Sequence, residues 1–207
     1  MDRGDLGMRS SYEENNYGSV LESLIVGLKP VDCVEIGVLD GYSALHIARG
    51  LKFNKEAFGV DGKLWCWDLW DDYVYNHGNQ YEVQKLMDDN ELSGFVKLNN
   101  GEAFETAHLI QYESVDFLHM DISNDGATLK KVMQFWSHRI KPCGMIAFEG
   151  GSEERDKIKW MINYNKIPIR DELKNNKIIE NDFKYFTMTP FPSMTIFQKK
   201  GCLRCDA

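Results

Sequence analysis

The chain has 207 residues, 43% hydrophobic and 12% aromatic, enough to bury one core and, by its length, to form one domain. With 24 basic against 32 acidic residues and a formal net charge of -8, phosphate-backbone binding is a poor fit, because nucleic-acid affinity rests on Lys and Arg. No run approaches the roughly 20 apolar residues of a membrane span, and the acid-bearing start MDRGDLGMRSSYEENNYG lacks the apolar stretch of a secretory signal.

The expectation is a cytoplasmic protein with a small-molecule partner, no nucleic acid and no membrane, its assembly into homo-oligomers left open. The five cysteines, Cys33, Cys66, Cys143, Cys202 and Cys205, are expected as reduced thiols.

In chain order, residues 16–28 read as a helix that ends at Lys29-Pro30, since proline cannot continue it. Strand one covers residues 31–36, and a helix follows from Tyr42 or Ser43 to Arg49 with Gly50 as its stop. Residues 62–69, GKLWCWDL, form strand two, aromatic and apolar between a glycine turn and a cluster of acids. A helix at 79–92, a strand at 94–98 and a helix at 103–112 come next.

Residues 114–122, SVDFLHMDI, are the clearest strand; a helix at 126–139, a strand at 144–149 and a helix at 152–164 complete the alternation. The segments 183–188 and 193–199 are joined by TPFP, too short for a parallel crossover, so they form an antiparallel edge hairpin. The predicted fold is a doubly wound, Rossmann-like α/β domain over residues 31–200 with a seven-stranded, mostly parallel sheet and helices on both faces. Residues 1–30 form a helical segment packing on or lidding the site, and 201–207 form a tail.

Ligands of open α/β sheets bind beyond the carboxyl ends of the strands. Those ends carry Glu35-Ile36-Gly37 with Gly41, then Asp68, then Glu102-Ala103, then Asp121, then Glu149-Gly150-Gly151. Each has an ordinary explanation: a tight turn at Gly37 and Gly41, a surface acid at Asp68, a first-turn helix acid at Glu102, a turn cap at Asp121. Taken together, their convergence on one crevice favours a ligand.

The spacing Glu-x-Gly-x-x-x-Gly (Glu35, Gly37, Gly41) differs from the G-x-G-x-x-G of a nicotinamide site, and the crevice has no evident positive group for a pyrophosphate. Carboxylates accept from a ribose diol and pair with cationic groups, which suits S-adenosylmethionine, while glycines let backbone approach it.

These stretches, VEIGVLDGYSA (34–44), WDLW (67–70), NGEAF (100–104), VDFLHMDIS (115–123) and PCGMIAFEGG (142–151) with the closing hairpin, resemble the class I S-adenosylmethionine-dependent methyltransferases. The closest resemblance is to small-molecule O-methyltransferases of catechol and macrolide-sugar type. It implies that Glu35, Gly37, Gly41 and Ser43 line the methionine end, that Asp68 holds the ribose, and that Glu102 and Ala103 lie near the adenine, with Asp121 alongside.

It also implies Mg²⁺ on Asp121 and Glu149, two hard oxygen ligands, which makes Asp121 a catalytic candidate; Asp125, outside the family pattern, is a second catalytic candidate as base or ligand. The pattern departs from that family at Gly150, where a second ligand often stands, and at Asn124, where a Lys or His base often stands; Asp125 serves equally well as a helix cap. His119 reads as a core residue and His77 as a solvated loop residue, with contact to substrate as the alternative.

Trp65 and Trp67 read as core, with Trp70 near the adenine. Cys202 and Cys205 lack the second pair a zinc site needs. The loops at 9–17, 71–80, 124–126 and 150–155 suit a polar acceptor such as a sugar. A metal-independent N- or O-methyltransferase, a dehydrogenase and a non-catalytic adenosyl-binding module remain as rival readings.

Overall fold

The computed structural model describes residues 8–75 and 77–201. Among them, seven strands form one sheet: β1 (Asp32–Ile36), β2 (Lys63–Asp68), β3 (Val96–Asn100), β4 (Val115–Met120), β5 (Ile140–Glu149), β6 (Phe183–Met188) and β7 (Met194–Lys199). Their spatial order is β3-β2-β1-β4-β5-β7-β6. Strands β1 to β5 pair in parallel, and β7 runs antiparallel between β5 and β6. The chain winds outward in both directions from the junction of β1 and β4, the kind of switch point that opens a crevice above the strand ends.

The period-two pleat sorts side chains between two cores. Cys33, Leu64, Cys66 and Phe117 face one apolar cluster; Val34, Ile36, Leu118 and Met120 face the other. The first cluster is covered by α1 (Tyr17–Leu28), α2 (Tyr42–Phe58) and α3 (Gln80–Asp89); α4 (Ala103–Ala107), α5 (Gly126–Trp136), α8 (Ile169–Asn175) and α9 (Lys177–Asp182) cover the second. Two further short helices, α6 (Glu153–Asp156) and α7 (Lys159–Asn163), follow β5.

Several boundaries differ from expectation. Gly50 does not stop α2, which runs on to its cap at Gly59. A Cβ at Gly50 would lie 2.8 Å from Ile25 Cβ, so this glycine lets α1 cross close to α2. Strand β5 starts at Ile140, with a register shift opposite Val115 and Phe117. The single helix expected over 152–164 is divided into α6 and α7, and α8 and α9 occupy a stretch with no expected element. Pieces of four to seven residues lack the length to hold a helix by themselves; Ile169, Leu173 and Ile179 anchor these last two into the second core.

Trp65 is 38% exposed rather than core. Cys33 and Cys66 are free and buried, whereas Cys143 is in a disulfide, against the expectation of reduced thiols throughout. Cys202 and Cys205 lie outside the described residues. No helix among the described residues is long and apolar enough to cross a membrane.

Candidate active site

A cleft of about 460 Å³ sits beyond the carboxyl ends of β1, β2 and β4, within the size range of small-molecule sites. Gly37, Asp68, Glu102, Ala103 and Asp121 all line it, so five of the expected residues from four strand exits come together.

Gly37 has φ +85°, and a Cβ there would lie 1.9 Å from the Asp121 carbonyl oxygen. Only bare backbone fits where β1 passes β4, which is the physical requirement behind the first glycine. Asp68 Oδ2 accepts from the N–H groups of Val38 (2.6 Å) and Leu39 (3.1 Å), and Oδ1 accepts from Trp70 N–H (3.1 Å). The carboxylate thereby clamps the loop after β1 and retains acceptor capacity toward the cleft, since its two oxygens offer about four lone-pair sites.

Glu102 caps α4 through Oε2, which accepts from Phe104 N–H (2.7 Å) and Glu105 N–H (2.9 Å). Its role as a helix cap and its place on the cleft wall coexist.

The cleft has an apolar side that sequence reading did not pick out: Ile36, Val38, Leu39 and Ile122 lie against it together with Trp67. The buried Trp67 indole N–H has no partner among the described residues, a donor available to a ligand. Trp70, expected near the adenine, is instead 3% exposed and donates its indole N–H to Asn99 O at 2.9 Å. Tyr73, Tyr75 and His77 line the mouth. An aromatic-rich loop following an acid-terminated strand was the sequence signal for this rim.

The other expected residues are placed elsewhere. Glu35 does not line the cleft: the pleat turns it into the first core, where it is fully buried. In register it lies between Cys66 on β2 and His119 on β4. It accepts from Ser43 Oγ and from Cys66 Sγ at 3.4 Å, and lies 2.9 Å from His119 Nδ1. With that nitrogen donating to the carboxylate, His119 Nε2 is left to accept from the Tyr12 hydroxyl at 3.2 Å.

Ser43 is therefore a partner of Glu35 and not a cleft residue. Gly41 caps α2 with φ +84° and faces Val83. Burial raises the Cys66 thiol well above its ordinary pKa, and the Tyr12 phenol likewise.

Asp125 is 4% exposed, caps α5 through Thr128 N–H at 2.8 Å and pairs with Lys166 at 3.3 Å. Its carboxylate is occupied in holding the helix start, so its expected catalytic role has no geometric basis.

Asp121 differs. It faces the cleft, and its carboxyl is raised to about 7, chiefly by burial and then by the charge of Glu149. Glu149 is also raised by burial, an effect opposed by Arg155. Both Glu149 oxygens are taken: Arg155 Nε donates to Oε1 at 2.8 Å and Nη2 to Oε2 at 3.1 Å. A carboxylate held bidentately by a guanidinium already has its charge matched, so it has much less attraction left for a second cation. Among the described residues, no group of three or more His, Cys, Asp or Glu is arranged to hold a metal ion. The Asp121 and Glu149 pair expected for Mg²⁺ does not fit a metal in this arrangement.

Comparison with known proteins agrees with the fold. A comparison with curated proteins finds no match. An O-methyltransferase from Bacillus cereus, solved in complex with SAH, is similar at TM-score 0.68 and 17% identity over 94% of this chain and 85% of that one. The O-methyltransferase TomG from Streptomyces achromogenes, solved with SAM, is similar at TM-score 0.65 and 13% identity over 95% and 93%. A methyltransferase from Geobacter sulfurreducens is similar at TM-score 0.63 and 15% identity over 92% and 84%. The family model described as a methyltransferase domain matches residues 34–149, the span from β1 to the end of β5 that builds the cleft. With more than half its length matched, this chain belongs to the methyltransferase domain family, the class I S-adenosylmethionine-dependent methyltransferases that its strand-end motifs resemble.

Proposed function

We propose that the chain transfers the methyl group of S-adenosylmethionine to an oxygen of a polar small molecule, a sugar or related metabolite. The observation that carries this reading is the cleft itself, in which bare backbone at Gly37, the acids Asp68, Glu102 and Asp121, and the apolar side with Trp67 share one volume. The acids suit hydroxyls and positive charge, and the apolar side suits a purine. Glu102 Oε1 makes no hydrogen bond among the described residues, which leaves an acceptor on that wall.

Bound there, the cofactor supplies a methyl on an electron-deficient sulfur. The chain's own contribution is positional first: Gly37 and the Asp68-clamped loop define the approach, and holding two reactants in near-attack geometry can remove on the order of 7–11 kcal/mol from a barrier. In this reading Asp121 takes the acceptor's hydroxyl proton as the new carbon–oxygen bond forms and the bond from sulfur to methyl breaks; its place on the cleft and a carboxyl raised to about 7 support that role. The apolar side keeps water from competing. Tyr73, Tyr75 and His77 at the mouth offer ring faces and a polar edge to a sugar-like acceptor. Magnesium assistance is left out, because Glu149 is engaged by Arg155.

Calorimetric titration with S-adenosylhomocysteine tests the reading. Binding to the wild type that weakens at least about tenfold in Asp68→Ala, roughly 1.4 kcal/mol, is expected; an absence of binding to the wild type would sink it.

A further inference from the structure

Two acids at neighbouring strand ends, Asp121 after β4 and Glu149 closing β5, form a pair that ordinarily calls for a cation. Here a cation is already present. Arg155 is 6% exposed and engages Glu149 through two separate nitrogens, while its Nη2 also donates to Asn124 O at 2.9 Å. Its positive charge reaches Asp121 as well, lowering the proton affinity that burial raises. The guanidinium thus bridges the exits of β4 and β5, and Trp160 covers it with its ring centroid 5.5 Å from Cζ.

Local backbone explains how it gets there. Gly150 and Gly151 have φ +110° and +116°, a region open to glycine, and Ser152 Oγ accepts from Arg155 N–H at 3.1 Å to start α6. The chain doubles back so that residue 155 faces residue 149. One nitrogen is left over: among the described residues Arg155 Nη1 is buried without a partner, as is Oδ1 of Asn124. A buried donor without a partner is costly, so Nη1 marks a position for one more oxygen, as an open coordination position does on a metal.

We propose that Arg155 is a built-in replacement for the divalent cation at this site, so that the methyltransferase works without one. A fixed guanidinium holds Glu149 through two nitrogens, reaches the β4 exit at Asn124 O and supplies donors rather than coordination bonds. The inference rests on the methyltransferase reading for its functional meaning, yet it concerns cation binding, which can be measured separately.

The test is titration of Mn²⁺ into the purified full chain with S-adenosylhomocysteine present, followed by the loss of the six-line electron paramagnetic resonance signal of free Mn²⁺. Calorimetry of S-adenosylhomocysteine runs alongside in EDTA and in Mg²⁺. The expected result for the wild type is an unattenuated Mn²⁺ signal and the same cofactor affinity, within about twofold, in both buffers.

Arg155→Gln, checked for folding by circular dichroism, is expected to free the acid pair and attenuate the Mn²⁺ signal at about one ion per chain; Arg155→Lys, which keeps a cation, is expected to leave it unattenuated. Stoichiometric Mn²⁺ binding by the wild type would overturn the proposal, as would a folded Arg155→Gln that binds none. If Arg155→Gln does not fold, the wild-type titration alone decides. Failure of S-adenosylhomocysteine to bind would count against the methyltransferase reading and leave the Mn²⁺ result to be judged by itself.

Discussion

The two halves of the rim treat their acids differently. Over β2 and β3, Asp68 and Glu102 use part of their acceptor capacity to tie down a loop and a helix start and still line the cleft. Beyond β4 and β5, Glu149 and Asp125 are closed off by Arg155 and Lys166, and Asp121 alone of that side's acids lines the cleft. An acid at a strand end is therefore left open to a ligand where no cation of the chain pairs with it directly. The open half is read from strand ends; the closed half is read from partners.

The largest expected effect breaks the closed half. Glu149→Ala leaves Arg155 as an unpaired buried charge and should cost about 3–5 kcal/mol, read as a fall in the denaturant midpoint. A cost under about 1 kcal/mol would mean that the pair is not buried as described.

In the open half, Gly37→Ala forces a side chain onto φ +85° and into the Asp121 carbonyl. The backbone strain alone is on the order of 1–3 kcal/mol, and S-adenosylhomocysteine binding should weaken with it; wild-type stability and binding in this variant would remove the close-approach argument.

Asp121 joins the halves, and its raised pKa gives a pH signature. An unfolded Asp titrates near 3.9 and the folded group at about 7, so between those values the folded chain holds more protons and stability falls as pH rises through the window. Activity runs the other way: a base must be ionised, so the rate should climb through about pH 7. In Asp121→Asn that limb should vanish together with about 10²- to 10⁴-fold of the rate. An unchanged limb in Asp121→Asn would assign it to another group.

The smallest effect sharpens the contrast. Asp125→Ala removes the α5 cap and should cost about 1 kcal/mol while changing cofactor affinity less than about twofold, measured by the same calorimetry. A loss of turnover with stability intact would return Asp125 to the catalytic residues.

Much of the architecture could be read directly from residue order. Each strand was announced by a run of apolar or β-branched residues between turn signals, and TPFP was too short for anything but a hairpin, so the seven strands were found with boundaries off mainly at their ends. Elements that depend on their neighbours were missed. Gly50 carries the local signal of a helix end, yet it sits mid-helix because Ile25 of α1, 25 residues away, needs the space. Helices α8 and α9 exist because three apolar side chains dock in a core.

Placement of a group at a strand end is a one-dimensional fact, fixed by where the apolar run stops, and so Gly37, Asp68, Glu102 and Asp121 could be named from order and spacing alone. Orientation is a three-dimensional fact. The pleat turned Glu35 away from the cleft and toward His119, 84 residues later in the chain, and the double glycine after β5 swung Arg155 back onto Glu149. Burial and charge pairing act over a few ångströms in space without regard to sequence distance, which is why only the folded chain could tell an open acid from a closed one.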